Sequence, residues 1–127
     1  MTATTPDLSG VDQLGPLDSR YVEVEKLPWR PTRWKGIYAK MLLEDKASGL
    51  MTMLMKWEAG TSLPLHEHVR IEQTYVLEGS LADDEGEVTA GNFVWRPQGS
   101  KHVATSPNGA LILAFFLEPN RFDESQA

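Results

Sequence analysis

Three histidines and one glutamate carry most of the chemistry open to this chain of 127 residues. The histidines, His66, His68 and His102, are the only ones it has. Two of them flank Glu67 in the segment Leu65-His66-Glu67-His68. On an extended strand residues i and i+2 share a face, so His66 and His68 project together while Glu67 points the other way. Glu72 has the same parity and joins that face if the strand continues past a slight bend. Imidazole and carboxylate suit zinc, iron, manganese, nickel or copper. With His102 supplied by a neighbouring strand, His66, His68, Glu72 and His102 form a 3-His-1-carboxylate site for one divalent ion. Octahedral coordination would leave two positions for water, substrate or dioxygen. The chain has no cysteine, which removes disulfides, thiolate catalysis and thiolate metal sites.

The elements that must position these residues read as strands. Tyr21–Glu25 alternates with period two. Pro28 and Pro31 break the chain around Trp29, and Trp34–Leu43 and Leu50–Glu58 are expected strands joined by the turn Glu44–Gly49. Lys56 and Glu58 need solvent, so Met51, Met53, Met55 and Trp57 should point inward as core and pocket lining. Further strands are expected at about 65–70, 72–78, 93–95, 102–105 and 111–117, with turns at Gly79, Pro97–Gly99 and Ser106–Gly109. The acidic run Asp83–Glu87 reads as a solvated hairpin tip. Phe93, Trp95, Phe115 and Phe116 are core or pocket candidates, the last two facing opposite ways. No helical periodicity runs for ten residues free of Gly or Pro, and many short strands with frequent turns mean an all-β sandwich or barrel. One domain at about 20–120 is expected, with residues 1–19 as a flexible arm and 121–127 as a fraying tail.

Here the spacing resembles a known family. Gly60-x5-His66-x-His68-x3-Glu72-x6-Gly79 fits the first motif of the cupins at every fixed position. Gly91-x5-Pro97-x-Gly99-x2-His102 fits the second, except that Ser106 stands where family members usually carry Asn. Eleven residues, Ser80–Ala90, separate the motifs. The resemblance implies a cupin-type double-stranded β-helix (jelly-roll) barrel in a single domain. It also implies that the four named residues hold the metal, Fe(II) or Zn first and Mn, Ni or Cu as further options. Gly60, Gly79, Gly91 and Gly99 fall where tight connections need positive φ or close backbone approach.

The segments Glu72–Ser80 and Arg96–His102 resemble the cupin-like domain of zinc anti-sigma factors and small dioxygenases that cleave β-diketones or hydroxyacetophenones. The first functional expectation is therefore a mononuclear non-heme Fe(II) dioxygenase acting on a small carbonyl or phenolic compound. Tyr75, Arg96 and Ser106 are the side chains that would orient such a substrate at the barrel mouth. The alternatives are a zinc-binding sensor module without turnover and a metal-assisted isomerase or lyase. Cupins commonly dimerise through N-terminal strands, which makes Tyr21–Glu25 the candidate edge of a homodimer. A net charge of −6 argues against nucleic-acid and anionic-membrane partners. The first fifteen residues lack the basic-then-apolar pattern of a secretory signal, and the longest apolar run, Ala110–Leu117, has eight residues. A membrane-spanning helix needs about 20. A soluble cytoplasmic protein is the expectation.

Overall fold

The computed structural model describes residues 3–5 and 14–123. Twelve strands follow in order: β1 (Ala3–Thr5), β2 (Arg20–Val22), β3 (Arg30–Pro31), β4 (Ile37–Asp45), β5 (Leu50–Trp57), β6 (Thr61–Glu67), β7 (Glu72–Asp83), β8 (Gly86–Thr89), β9 (Phe93–Arg96), β10 (Lys101–Ser106), β11 (Ala110–Phe116) and β12 (Arg121–Phe122). A single turn of 3-10 helix at Val24–Lys26 is the only helical element among the described residues. No helix there is long and apolar enough to cross a membrane.

β1 and β2 pair in parallel as a separate ribbon, and the other ten strands form one curled antiparallel sheet in the order β12-β6-β10-β7-β11-β5-β4-β3, with β8 and β9 also on β7. β7 is the pivot. Residues 72–79 pair with β11, residues 72–75 also with β9, and residues 80–83 pair with β8, Ala82 also reaching β10. The strand expected to stop at residue 78 thus continues to Asp83. Gly79 bends it rather than ending it: its φ is 72°, and a Cβ there would sit 1.9 Å from the Gly109 carbonyl oxygen. Gly60, Gly91 and Gly99 also have positive φ, as expected from their places in the two motifs.

The inner face is apolar because each strand alternates. Met55 and Trp57 on β5, Val76 on β7, and Ile112, Ala114 and Phe116 on β11 are buried together, while Phe115 is exposed. Met51 and Met53 complete the inward stripe as expected, packing against this core from partly buried positions. Phe93 and Trp95 do not. They are 47% and 59% exposed, because Val94 and Arg96 hold the inward parity on β9.

Differences also occur at the ends. Of the segment expected as a flexible arm, Ala3–Thr5 form β1, and residues 1–2 and 6–13 lie outside the described residues. The tail expected to fray from Arg121 begins as a strand instead: Arg121 pairs with Glu67 and Phe122 with His66. Phe122, the one large apolar residue of that tail, packs on Trp34 with ring centroids 4.9 Å apart, and this burial offsets the ordering entropy. Residues 124–127 lie outside the described residues.

Candidate metal centre

β6 and β10 bring two histidines face to face. His66 and His102 are register partners, and their ring centroids lie 4.6 Å apart. His68 stands just beyond the end of β6 and is held by the β9–β10 turn. Its N–H donates to the Ser100 carbonyl at 2.9 Å, and its own carbonyl accepts from the Gly99 N–H at 2.8 Å. The His68 ring then lies 5.0 Å from that of His66 and 4.8 Å from that of His102. One ring nitrogen from each histidine falls within 4.8 Å of the others.

The far side of each ring is engaged. Nδ1 of His66 donates to the Pro64 carbonyl at 2.8 Å. Nδ1 of His68 reaches the carbonyl and hydroxyl of Ser100 at 3.0 and 2.9 Å. Nδ1 of His102 donates to Oδ2 of Asp83 at 2.8 Å. A proton on Nδ1 satisfies all these acceptors and leaves each Nε2 with a bare lone pair. Nε2 of His68 is fully buried and has no hydrogen-bond partner. Burial pulls the pKa of His66 down to about 4, opposed by the Pro64 bond and helped by His102. Burial does the same to His68, with His66 and His102 adding to it. Three imidazoles around one spot, one with an orphaned nitrogen, match the donor set of a divalent cation.

Glu72 enters from a second strand rather than along a continuous one. The chain leaves pairing after Glu67 and resumes at Glu72, the first residue of β7. Its Oε1 lies 3.7 Å from Nε2 of His68, and its Oε2 accepts from Nδ2 of Asn120 at 3.1 Å. Burial pushes its carboxyl up to about 7, held back by the Asn120 bond and the Arg96 charge. Glu67 points outward as expected and pairs with Arg121.

Above the histidines lies a cavity of about 230 Å³. Met53, Met55, Ile112 and Phe116 make it apolar, and Thr74, Arg96 and Asn120 contribute polar groups. Of the three residues expected to orient a substrate, only Arg96 lines it. Tyr75 alternates outward from the inward Thr74 and Val76 and is 41% exposed. Ser106 is buried, but its hydroxyl donates to the Ser80 carbonyl at 2.8 Å. It keeps the inward parity of His102 and Ala104, but as the last residue of β10 it lies beyond the residues that line the cavity.

Asp83, Asn120 and Phe122 line the same cavity, and the sequence alone did not single them out. Asp83 is no solvated tip: its side chain is 1% exposed and also binds Arg96. Leu81 and Asp83 both line the cavity, so the i, i+2 parity carried that signal. Although burial opposes it, the bonds from His102 and the Glu85 N–H, with the Arg96 charge, hold the Asp83 carboxyl below the usual range.

A curled antiparallel sheet with three histidines converging on its inner face defines the chain as a cupin. Residues 18–120 match the profile of the ChrR cupin-like domain, and the chain belongs to that family. Among solved structures, it is similar to a candidate acetylacetone dioxygenase from Methylibium petroleiphilum PM1, at 19% identity and TM-score 0.78, covering 90% of this chain and 88% of that one. An acetylacetone dioxygenase from Acinetobacter johnsonii matches at 18% identity and TM-score 0.68, covering 81% and 76%. The Rhodobacter sphaeroides complex of SigE with the anti-sigma ChrR matches at 22% identity and TM-score 0.62, covering 75% of this chain and 51% of that one. At these identities the likeness establishes the fold. No curated protein matches the chain.

Proposed function

We propose that this chain is a mononuclear metal-dependent dioxygenase acting on a small carbonyl or phenolic compound. The observation that carries the reading is the buried, unpartnered Nε2 of His68 beside two more imidazoles at the floor of a small apolar cavity. His66, His68, His102 and Glu72 would hold the ion. When bound as Fe(II), such an ion supplies Lewis acidity toward an enolate or phenolate oxygen and redox chemistry with dioxygen.

The chain's own residues do the rest. The Nδ1 bonds fix the three rings before any ligand arrives, so little reorganisation is needed. Asn120 orients the Glu72 carboxyl. Arg96 presents partial positive charge to an anionic substrate oxygen, its guanidinium shared with Asp83 and Glu85. The methionine stripe excludes water, which strengthens each of these electrostatic contacts.

Metal analysis of protein purified without added metal tests this, followed by anaerobic iron loading and oxygen uptake with β-diketones, hydroxyacetophenones and catechols. Stoichiometric uptake with one substrate class supports the reading. One equivalent of zinc as isolated, with no uptake by the iron-loaded form, favours the second reading, a zinc-holding sensor module; the ChrR family match is what supports that alternative. Pairing of two chains through β2, where Tyr21 is 73% exposed, extends either reading. Light scattering reports it, and a monomer removes it.

A further inference from the structure

We propose that Asp83 is the positioning residue of this site: its carboxylate locks His102 with Nδ1 protonated and Nε2 bare toward the cavity, and holds Arg96 in the cavity wall through the same oxygen. The three histidines are not equivalent. His66 and His68 rest on neutral carbonyl and hydroxyl oxygens, whereas His102 rests on a carboxylate. A hydrogen bond to an ionised acceptor is roughly twice as strong as a neutral one. Asp83 thus makes His102 the histidine whose ring is most tightly oriented.

The carboxylate itself cannot swivel. Its Oδ2 accepts from His102 and Arg96, and its Oδ1 accepts from the backbone N–H groups of Glu85 at 2.9 Å and Gly86 at 3.1 Å. Asp83 is also the last residue of β7, register-paired with Gly86 across the β7–β8 turn. The turn therefore clamps one oxygen and leaves the other to aim two side chains. One of these is a proposed ion ligand, and the other is the only cationic side chain among the described residues that line the cavity. A change at Asp83 is felt by both the ion and any anionic ligand beside it.

The affinity arm of the test rests on the metal reading above; the tautomer arm does not. Nitrogen-15 imidazole spectra of the metal-free protein should show His102 as the Nδ1–H tautomer, and Asp83→Asn should move it toward Nε2–H. Chelator competition should show zinc affinity falling about 10- to 100-fold in Asp83→Asn. Glu85→Gln, which removes the exposed partner of Arg96, should leave both readouts unchanged. An Nε2–H tautomer in the wild type overturns the proposal, and this holds even if Asp83→Asn does not fold. A folded Asp83→Asn with wild-type affinity, or a Glu85→Gln loss equal to that of Asp83→Asn, also overturns it. A wild-type chain that binds no zinc overturns the metal reading, and the tautomer then still decides whether Asp83 positions His102.

Discussion

Nε2 of His68 lies 3.7 Å from Oε1 of Glu72. That is too long for a hydrogen bond, yet the nitrogen is buried with no other partner and the Glu72 side chain is only 13% exposed. Two lone pairs facing each other in a dry site repel unless something positive lies between them. A proton on Glu72 relieves the contact in the metal-free protein, which agrees with a carboxyl raised to about 7 by burial. A divalent cation relieves it better, because it also draws on His66 and His102.

Zinc binding at pH 6 should therefore draw about one proton from Glu72. His66 and His68, with pKa values near 4, are already neutral at that pH. Glu72, near 7, is mostly protonated and must ionise to act as a ligand. Calorimetric titrations in buffers of different ionisation enthalpy count the protons. Glu72→Gln should lower the release by that one proton and weaken binding. A wild-type release near zero means that Glu72 is not a ligand.

The metal-free fold should be most stable near neutral pH. His66 and His68 have folded pKa values of about 4 against 6.5 unfolded, so their contribution is whole above about 6.5 and drains as pH falls toward 4. Glu72 acts oppositely: raised from 4.5 to about 7, it contributes below 4.5 and is lost as pH rises through 7. Two histidines outweigh one glutamate between, leaving a slope of about one proton, or ~1.4 kcal/mol per pH unit, on the acid side. Urea midpoints from pH 4.5 to 8.5 measure it. Glu72→Gln should flatten the alkaline side and steepen the acid side.

Much of the site was legible because parity is local. His66, His68 and the stripe from Met51 to Trp57 could be assigned to a face from alternation alone, and Gly60, Gly79, Gly91 and Gly99 marked the bends. Parity does not tell where along a strand the cavity ends or which of two neighbours holds the inward phase. Ser106 is inward and fully buried but lies beyond the cavity lining, and Thr74 takes the inward position beside Tyr75. Asp83 was hidden by its neighbours: a run of four acids and a glycine looks solvated, and only the β7–β8 pairing buries its first member. Asn120 lies just before β12 and Phe122 within it, and the two residues of that strand are too few to show any period.

Gly79→Ala should unfold the protein or cost at least about 3 kcal/mol, far beyond the roughly 1 kcal/mol typical of a single substitution. The position has φ of 72°, and the added methyl would overlap the Gly109 carbonyl, which is backbone and cannot step aside. Gly91→Ala is the control. Its φ of 84° carries the same strain, but no atom lies within 4 Å of its Cβ, so its loss should be about 1 kcal/mol. Equal losses in urea unfolding would show that conformation, not the β7–β11 approach, dominates at Gly79.

β12 should govern how fast the ion leaves. Phe122 is the register partner of His66, its ring lies 5.2 Å from the His66 ring, and it lines the cavity beside Trp34. The Arg33 guanidinium covers the outer side, 4.3 Å from the Trp34 ring and 5.2 Å from that of Phe122. Phe122→Ala removes this cover while leaving all four expected ligands in place. The half-buried ring should cost about 2 kcal/mol, less than the 3–5 of a fully buried one. Zinc extraction by a chelator should speed up several-fold more than equilibrium affinity falls, because the change opens a path rather than removing a donor. Arg121→Ala, which loses only the surface pair with Glu67, should leave extraction unchanged. If Phe122→Ala and wild type release zinc at the same rate, the ion leaves by another route and β12 serves only to complete the sheet.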